Sequence, residues 1–216
     1  WSSDVCSSDL SIQNGINKQE ILKSIINLQN ENTENINLPS RMVIIRSFDI
    51  NEQNVSYDKL KGGIVGGSLT QGYLKPGHII EIRPGFIVRK GEEITYKPII
   101  SEINSIKTDT SDLEMATTGG LIGVSLNIDP SFTKSNNMAG QMLGRIGELP
   151  DVYYGLKLEY TILDRPNTHE LSFEKNEIIT LSVNSSNSKA TIIKASSKGY
   201  IVVKLDKPLC LDENQK

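Results

Sequence analysis

Two hydrophobic patterns divide the chain. Ile21, Leu22, Ile25 and Ile26 fall at i, i+1, i+4 and i+5, one stripe of a 3.6-residue period with polar residues around the rest of the turn. Asn17, with Glu20 three residues on, reads as an N-cap with a capping-box partner, so the spacing predicts a helix over 17–29. An Asn- and Glu-rich stretch over 30–37 and Pro39 follow, placing a linker and a domain boundary near Ser40. From Arg41 the helical period disappears. Short runs of Val, Ile, Thr and Tyr alternate with Gly, Pro, Asn and Asp about every ten residues, the pattern of an all-β barrel or sandwich. Strands are expected over 42–48, 63–70, 78–83, 96–107, 120–126 and 140–146, then after Pro150 over 156–164, 176–184, 189–196 and 199–205. Leu156, Leu158, Tyr160 and Ile162 alternate with Lys157, Glu159 and Thr161, a period of two for a sheet with one wet face. Lys75-Pro76-Gly77 and Arg83-Pro84-Gly85 place Pro and Gly where tight turns want them, and 86–97 reads as a hairpin with a Lys-Gly turn.

Composition narrows the class. The 216 residues carry 23 basic and 26 acidic side chains, a formal charge of -3, without the overall basic excess that marks a nucleic-acid-binding domain by composition. No apolar run reaches the roughly 18 residues needed to span a bilayer, and no charged-then-apolar leader opens the chain. Cys6 and Cys210 make no disulfide framework, and with His78 and His169 they supply no metal-ligand cluster, which favours a cytosolic, metal-free reading. The first ten residues, WSSDVCSSDL, resemble the translation of a common short-read sequencing adapter and are excluded from fold reasoning. Without Asp4 and Asp9 the balance is 23 basic against 24 acidic, or -1. The authentic polypeptide is then expected to extend N-terminally, and the polar run 209–216 is read as an end short of a complete domain.

The glycine-dense segment Lys61 to Leu69 has the density of a phosphate-cradling loop but not its context, because it leads into another strand and no Lys-Ser/Thr pair follows. Glycines inside strands mark bulges, barrel bends or close backbone approach, which is the reading adopted. No catalytic constellation is present: there is no Gly-x-Ser-x-Gly or His-Glu-x-x-His, and neither histidine has a nearby partner. Asp49, Asp112 and Asp129 read as turn residues, and Cys210 as a small apolar one. Arg41, Arg46, Arg83, Arg89 and Lys90 could contact phosphates, but a scattered Arg on a barrel is more often solvated or paired, which is the preferred reading. The chain reads as a binding module.

Taken in order, VIIRSFDI (43–50), LKGGIVGGS (60–68), GYLKPGHIIEIRPG (72–85), GGLIGVSLNID (119–129) and MAGQMLGRIGELP (138–150) resemble the gamma subunit of eukaryotic and archaeal translation initiation factor two. The resemblance implies a translational GTPase with two consecutive β-barrels after its GTP-binding domain: 11–39 as the end of that domain plus linker, 40–135 as the second domain and 136–216 as the third, mainly β throughout. It further implies GTP and Mg in the full-length protein, none bound by these residues, and no GTP hydrolysis by them. The implied partners are the alpha and beta subunits, initiator methionyl-tRNA and the small ribosomal subunit, in the cytoplasm, with no membrane and no DNA. By the same resemblance, Arg46, Arg83, Gly119 and Gly120 are candidates for the aminoacyl end of the tRNA. Asp49, Asn51, Glu52, Tyr57 and Asp58 are candidates for alpha-subunit docking, and Ser11 falls where a guanine-contacting Ser-Ala turn belongs, with Ile12 in place of the Ala. The stretch 163–175 is shorter than the family's usual excursion and lacks its basic run. The alternatives are a Tu-like or selenocysteine-specific elongation GTPase and a stand-alone β-barrel interaction module.

Overall fold

The computed structural model describes residues 11, 13–27, 34–52, 54–56, 59–91, 93–109, 111–162, 172–196 and 199–212. The readings of the first ten residues, of the helix end at 28–29, of Tyr57 and Asp58 and of most of the 163–175 stretch lie outside them.

The amphipathic stripe folds as helix α1, Lys18–Asn27, with no residue buried. Ile21 is half-buried while Leu22, Ile25 and Ile26 are exposed. Asn17 has a left-handed φ of 54° and its carbonyl accepts from Glu20 N at 3.1 Å, starting the helix. The Glu20 carboxylate bonds Lys23 Nζ at 2.9 Å, a one-turn pair on the helix surface.

Seven strands follow: β1 (Arg41–Phe48), β2 (Ile64–Gln71), β3 (Ile79–Lys90), β4 (Glu93–Lys107), β5 (Asp112–Leu113), β6 (Ile122–Leu126) and β7 (Met142–Arg145). They hydrogen-bond in the order β3-β7-β1-β2-β6-β4-β5, and the β3–β4 pairing closes six of them into a barrel with β5 appended to β4. Closure removes free edges, and the period of two sends alternate side chains inward. Met42 and Ile44, Val65 and Leu69, Ile80 and Ile82, Ile103 and Ile106, Val124 and Leu126 and Leu143 are the fully buried result. Each such side chain contributes about 1.5–3 kcal/mol relative to exposure. The glycine reading is borne out at Gly67, where a Cβ would overlap the Val43 carbonyl oxygen on the neighbouring strand. β7, beyond residue 135, pairs with both β1 and β3, so the barrel runs on to the linker 146–151.

The second body is an antiparallel sheet, β8 (Val152–Glu159), β9 (Ile178–Val183), β10 (Ser186–Ser196) and β11 (Tyr200–Cys210), in the order β8-β11-β10-β9. Its core is Ala190, Ile192, Ile201, Val203 and Leu205, flanked by half-buried Leu156, Leu158 and Tyr160; Lys157 and Glu159 point to solvent, as the alternation requires.

One expected turn is not a turn. Lys75-Pro76-Gly77 does reverse the chain, with Gly77 at φ 83° and His78 N bonded to Lys75 O at 3.2 Å. Arg83-Pro84-Gly85, however, lies inside β3 as a bulge: Ile82 pairs with Ile99 and Phe86 with Lys97, so three residues oppose the single Pro98. Pro84 and Pro98 have no N–H to give a ladder, and Gly85 N bonds Gln141 Oε1 at 2.9 Å instead. The ladder is interrupted, but strong pairing on both sides carries the strand through.

Candidate functional site

The loop after β1 carries the acidic candidates. Asp49 Oδ1 accepts from Asn51 N at 2.8 Å and from Asn51 Nδ2 at 2.7 Å, a local turn typical of Asp. Asn51 then closes the loop: its Nδ2 bonds Lys61 O at 2.8 Å and its Oδ1 accepts from Lys61 N at 2.7 Å. Asn51 thus acts as a staple between the two ends of the loop. Glu52 is exposed, together with Ile50 and Leu60, and Tyr57 and Asp58 lie outside the described residues.

Arg46 stands exposed on the outer face of the barrel, without an ion-pair partner among the described residues. Across the sheet it is opposite Gly66, Gly66 is opposite Gly123, and Gly123 is opposite Lys107. Two bare glycine positions therefore separate Arg46 from Lys107, whose Nζ pairs with Asp112 at 3.0 Å. Gly119 and Gly120, just before β6, have φ of 103° and 72° with nothing within 4 Å of a hypothetical Cβ. Their requirement is the left-handed backbone, which a side chain would strain, and their surroundings are open. Arg46 and this turn are separated by strand β2, on one side of the barrel.

Arg83 is elsewhere. Its Nη2 pairs with Glu81 Oε2 at 3.2 Å, and its Nη1 donates to the carbonyls of Leu149 and Pro150 at 3.2 and 3.0 Å. Asp151 Oδ1 lies 3.8 Å away. The other oxygen of the buried Glu81 accepts from Gly147 N at 3.1 Å. The sequence-predicted tRNA candidate therefore holds the linker between the two sheets. Two further arginines do similar work: Arg145 pairs with Glu148, whose Oε2 also takes Ser40 N at 2.7 Å, and Arg41 pairs with Asp212 beyond β11. Met142, Leu149 and Cys210 form a small core at the same joint. Cys210 Sγ is bonded to Pro150 O at 3.3 Å, and burial pushes its thiol up to about 11. Beside the joint lies a cleft of about 630 Å³ lined by Phe86, Tyr96 and Phe132 from the barrel and Asn187 and Lys207 from the second sheet. Glu81 and Glu148 are sequence neighbours of the arginines they pair with, but the carbonyls of Leu149 and Pro150, Ser40 N and Asp212 come from far along the chain, and no local pattern announces them.

The glycine-dense segment is not a phosphate loop. The glycines of 62–67 are engaged at and within strand β2, not at a helix N-terminus. Ser11 Oγ accepts from Asn14 N at 3.1 Å, capping its own turn. Among the described residues no cluster of His, Cys, Asp and Glu could hold a metal, and no helix is long and apolar enough to cross a membrane.

A closed six-stranded barrel with glycine in its second strand, joined by a pinned linker to a second antiparallel sheet, is the β-domain arrangement of a translational GTPase. A bacterial selenocysteine-specific elongation factor EF-Sec shares this fold at a TM-score of 0.64 and 18% identity, over 92% of this chain and 28% of that one. The chain is 35% identical over 203 residues to the eukaryotic translation initiation factor 2 subunit gamma of Encephalitozoon cuniculi, covering 93% of this chain and 46% of the relative. It is likewise 35% identical over 212 residues to the translation initiation factor 2 subunit gamma of Pyrococcus furiosus, covering 96% and 51%. The chain belongs to this gamma-subunit family and spans about half the length of the curated relatives it matches. No protein-family model matches it.

Proposed function

We propose that this chain supplies the tRNA-carrying and subunit-docking barrels of an initiation-factor gamma subunit, working in the cytoplasm with alpha and beta subunits and the small ribosomal subunit. The observation that carries the reading is the co-linear identity with gamma subunits over 93% of the chain. In the whole protein, GTP with Mg supplies the state-dependence of tRNA affinity; the residues described here bind and orient. Arg46 presents a charged fork to phosphate or a stacked base, and the open Gly119–Gly120 turn admits a ribose or terminal base close to the backbone. Arg83 serves the same task indirectly by fixing the angle between the two sheets. The stapled loop from Asp49 to Asp58 offers Asp49, Glu52 and the exposed Ile50 to the alpha subunit. On this reading the uncovered stripe of α1 belongs against the GTP-binding domain.

The test uses protein from the complete gene, loaded with GTP, against methionyl initiator tRNA and methionyl elongator tRNA. Initiator tRNA is expected to bind at least tenfold more tightly; equal affinity overturns the reading, and preference for selenocysteyl-tRNA transfers the chain to the elongation GTPases. The docking surface is tested separately. Joint Asp49→Lys and Glu52→Lys substitution is expected to weaken alpha-subunit association, and unchanged association removes it.

A further inference from the structure

Four side chains, one of them the Arg145 that pairs with Glu148, meet at one corner of the barrel, where the Lys75–His78 turn approaches the end of β7. The Tyr73 ring is their centre. Arg145 Cζ lies 4.9 Å and Lys75 Nζ 5.5 Å from its centroid, and the His78 ring meets it edge-on at 5.6 Å and 61°. Such contacts hold cations over an aromatic face. His78 Nδ1 accepts from Lys75 N at 3.3 Å, so the neutral ring carries its proton on Nε2 and keeps that donor for another partner. Lys75 is exposed, and Tyr73, His78 and Arg145 are half-buried.

Among the described residues one carboxylate faces the cluster, Glu148, and it is already committed. It takes Nη2 of Arg145 at 2.7 Å, Nε at 3.1 Å and the Ser40 amide, which leaves the Nη1 side of the guanidinium. The local field is positive even though the chain's formal charge is -3. His78 reports it: its pKa is held below the ordinary value by burial, then by Arg145 and by Lys75, with Glu148 alone opposing.

We propose that this corner is a contact site for the RNA sugar-phosphate backbone, with Lys75 Nζ and Arg145 Nη1 on phosphate oxygens and His78 Nε2–H donating to a phosphate or 2′-hydroxyl. Cations interleaved with aromatic rings on a half-exposed surface suit a polyanion carrying flat groups, and phosphate contacts position without reading sequence. The choice of RNA rests on the function proposed above.

The test measures binding of the intact chain to a short fluorescein-labelled oligouridine across a salt series. Lys75→Glu is expected to weaken binding roughly fivefold or more and Lys75→Gln less, with the log–log salt slope reduced by about 0.7 for one lost single-strand phosphate contact. Lys194→Glu, the same charge change at an exposed position on β10, is expected to leave both unchanged; far-UV circular dichroism checks that each variant folds. The proposal fails if wild-type protein binds no oligouridine, if Lys75→Glu behaves like Lys194→Glu, or if oligoglutamate competes as well as RNA, which would point to an acidic protein partner. Oligouridine carries no initiator identity. Loss of initiator preference with the corner intact would therefore sink the proposed function and leave this contact standing, and the reverse result would do the opposite.

Discussion

Arg83 Nη1 lies 3.0 Å from the carbonyl oxygen of Pro150, so a side chain of the barrel's third strand grips the backbone leading into the second sheet. The same guanidinium neutralises Glu81, which is 5% exposed. Removing one member of a largely buried pair leaves an uncompensated charge, whereas removing both is far milder. Arg83→Met is therefore expected to cost about 2–4 kcal/mol in urea unfolding, and Arg83→Met with Glu81→Gln clearly less. If the double variant is no better than the single one, the pair is not what holds the joint.

Adjacent glycines of β2 give a contrast. A Cβ on Gly67 overlaps the Val43 carbonyl, while one on Gly66 meets its nearest neighbours, Arg46 O and Ile122 O, at 3.9 Å. Gly67→Ala should destabilise by about 1–3 kcal/mol through forced backbone shift, and Gly66→Ala should stay within about 0.5 kcal/mol of wild type. The midpoints of chemical unfolding decide this directly. Equal effects would contradict the barrel's close approach at Gly67.

The depressed His78 sets a pH dependence. Burial, Arg145 and Lys75 hold its native pKa below the ordinary value of 6.5, so the unfolded chain binds a proton more readily than the native one. Stability then rises with pH: this contribution is full above 6.5 and is lost as pH falls from there through the lower native value. His78→Gln is expected to flatten that part of the profile in unfolding measured at successive pH values, and a profile identical to wild type would count against it.

Cys210 is expected to be chemically quiet. Its thiol is pushed to about 11, first by burial, and the thiolate is the reactive species. Alkylation at mildly alkaline pH, followed by mass spectrometry of the peptide containing Cys210, should show slow modification in native protein and rapid modification in urea. Fast native labelling would mean that the small core with Met142 and Leu149 opens readily.

Local chemistry was legible wherever the deciding partner was near in sequence. Leu156, Leu158 and Tyr160 declared their buried side by alternation, and Pro76-Gly77 its turn by the φ each residue permits. Arg83-Pro84-Gly85 carried the same turn chemistry and became a bulge, because the outcome depended on Pro98 opposite and on pairing beyond it. The family resemblance made Arg83 a tRNA candidate; its carbonyl partners are 66 and 67 residues away, and no local pattern announces them. Asn51 sat in a recognisably polar loop, but its bond to Lys61 follows from where that loop closes. The Tyr73 corner was invisible for the same reason, since Arg145 arrives on a different strand.

The bulge at 83–85 also divides the labour of one strand pair. Below it β3 and β4 are staves whose register with β7 and β6 fixes the barrel; past Phe86, Ile87, Arg89, Lys90 and Ile94 are exposed and the ladder runs to the Lys90–Glu93 pair. Because closure is complete before the ribbon begins, each two-residue extension of both arms would lengthen its reach by roughly 7 Å and leave every barrel pairing in place. Reach and closure are thus separately adjustable, so the span of this surface can diverge between related chains without any cost to the core.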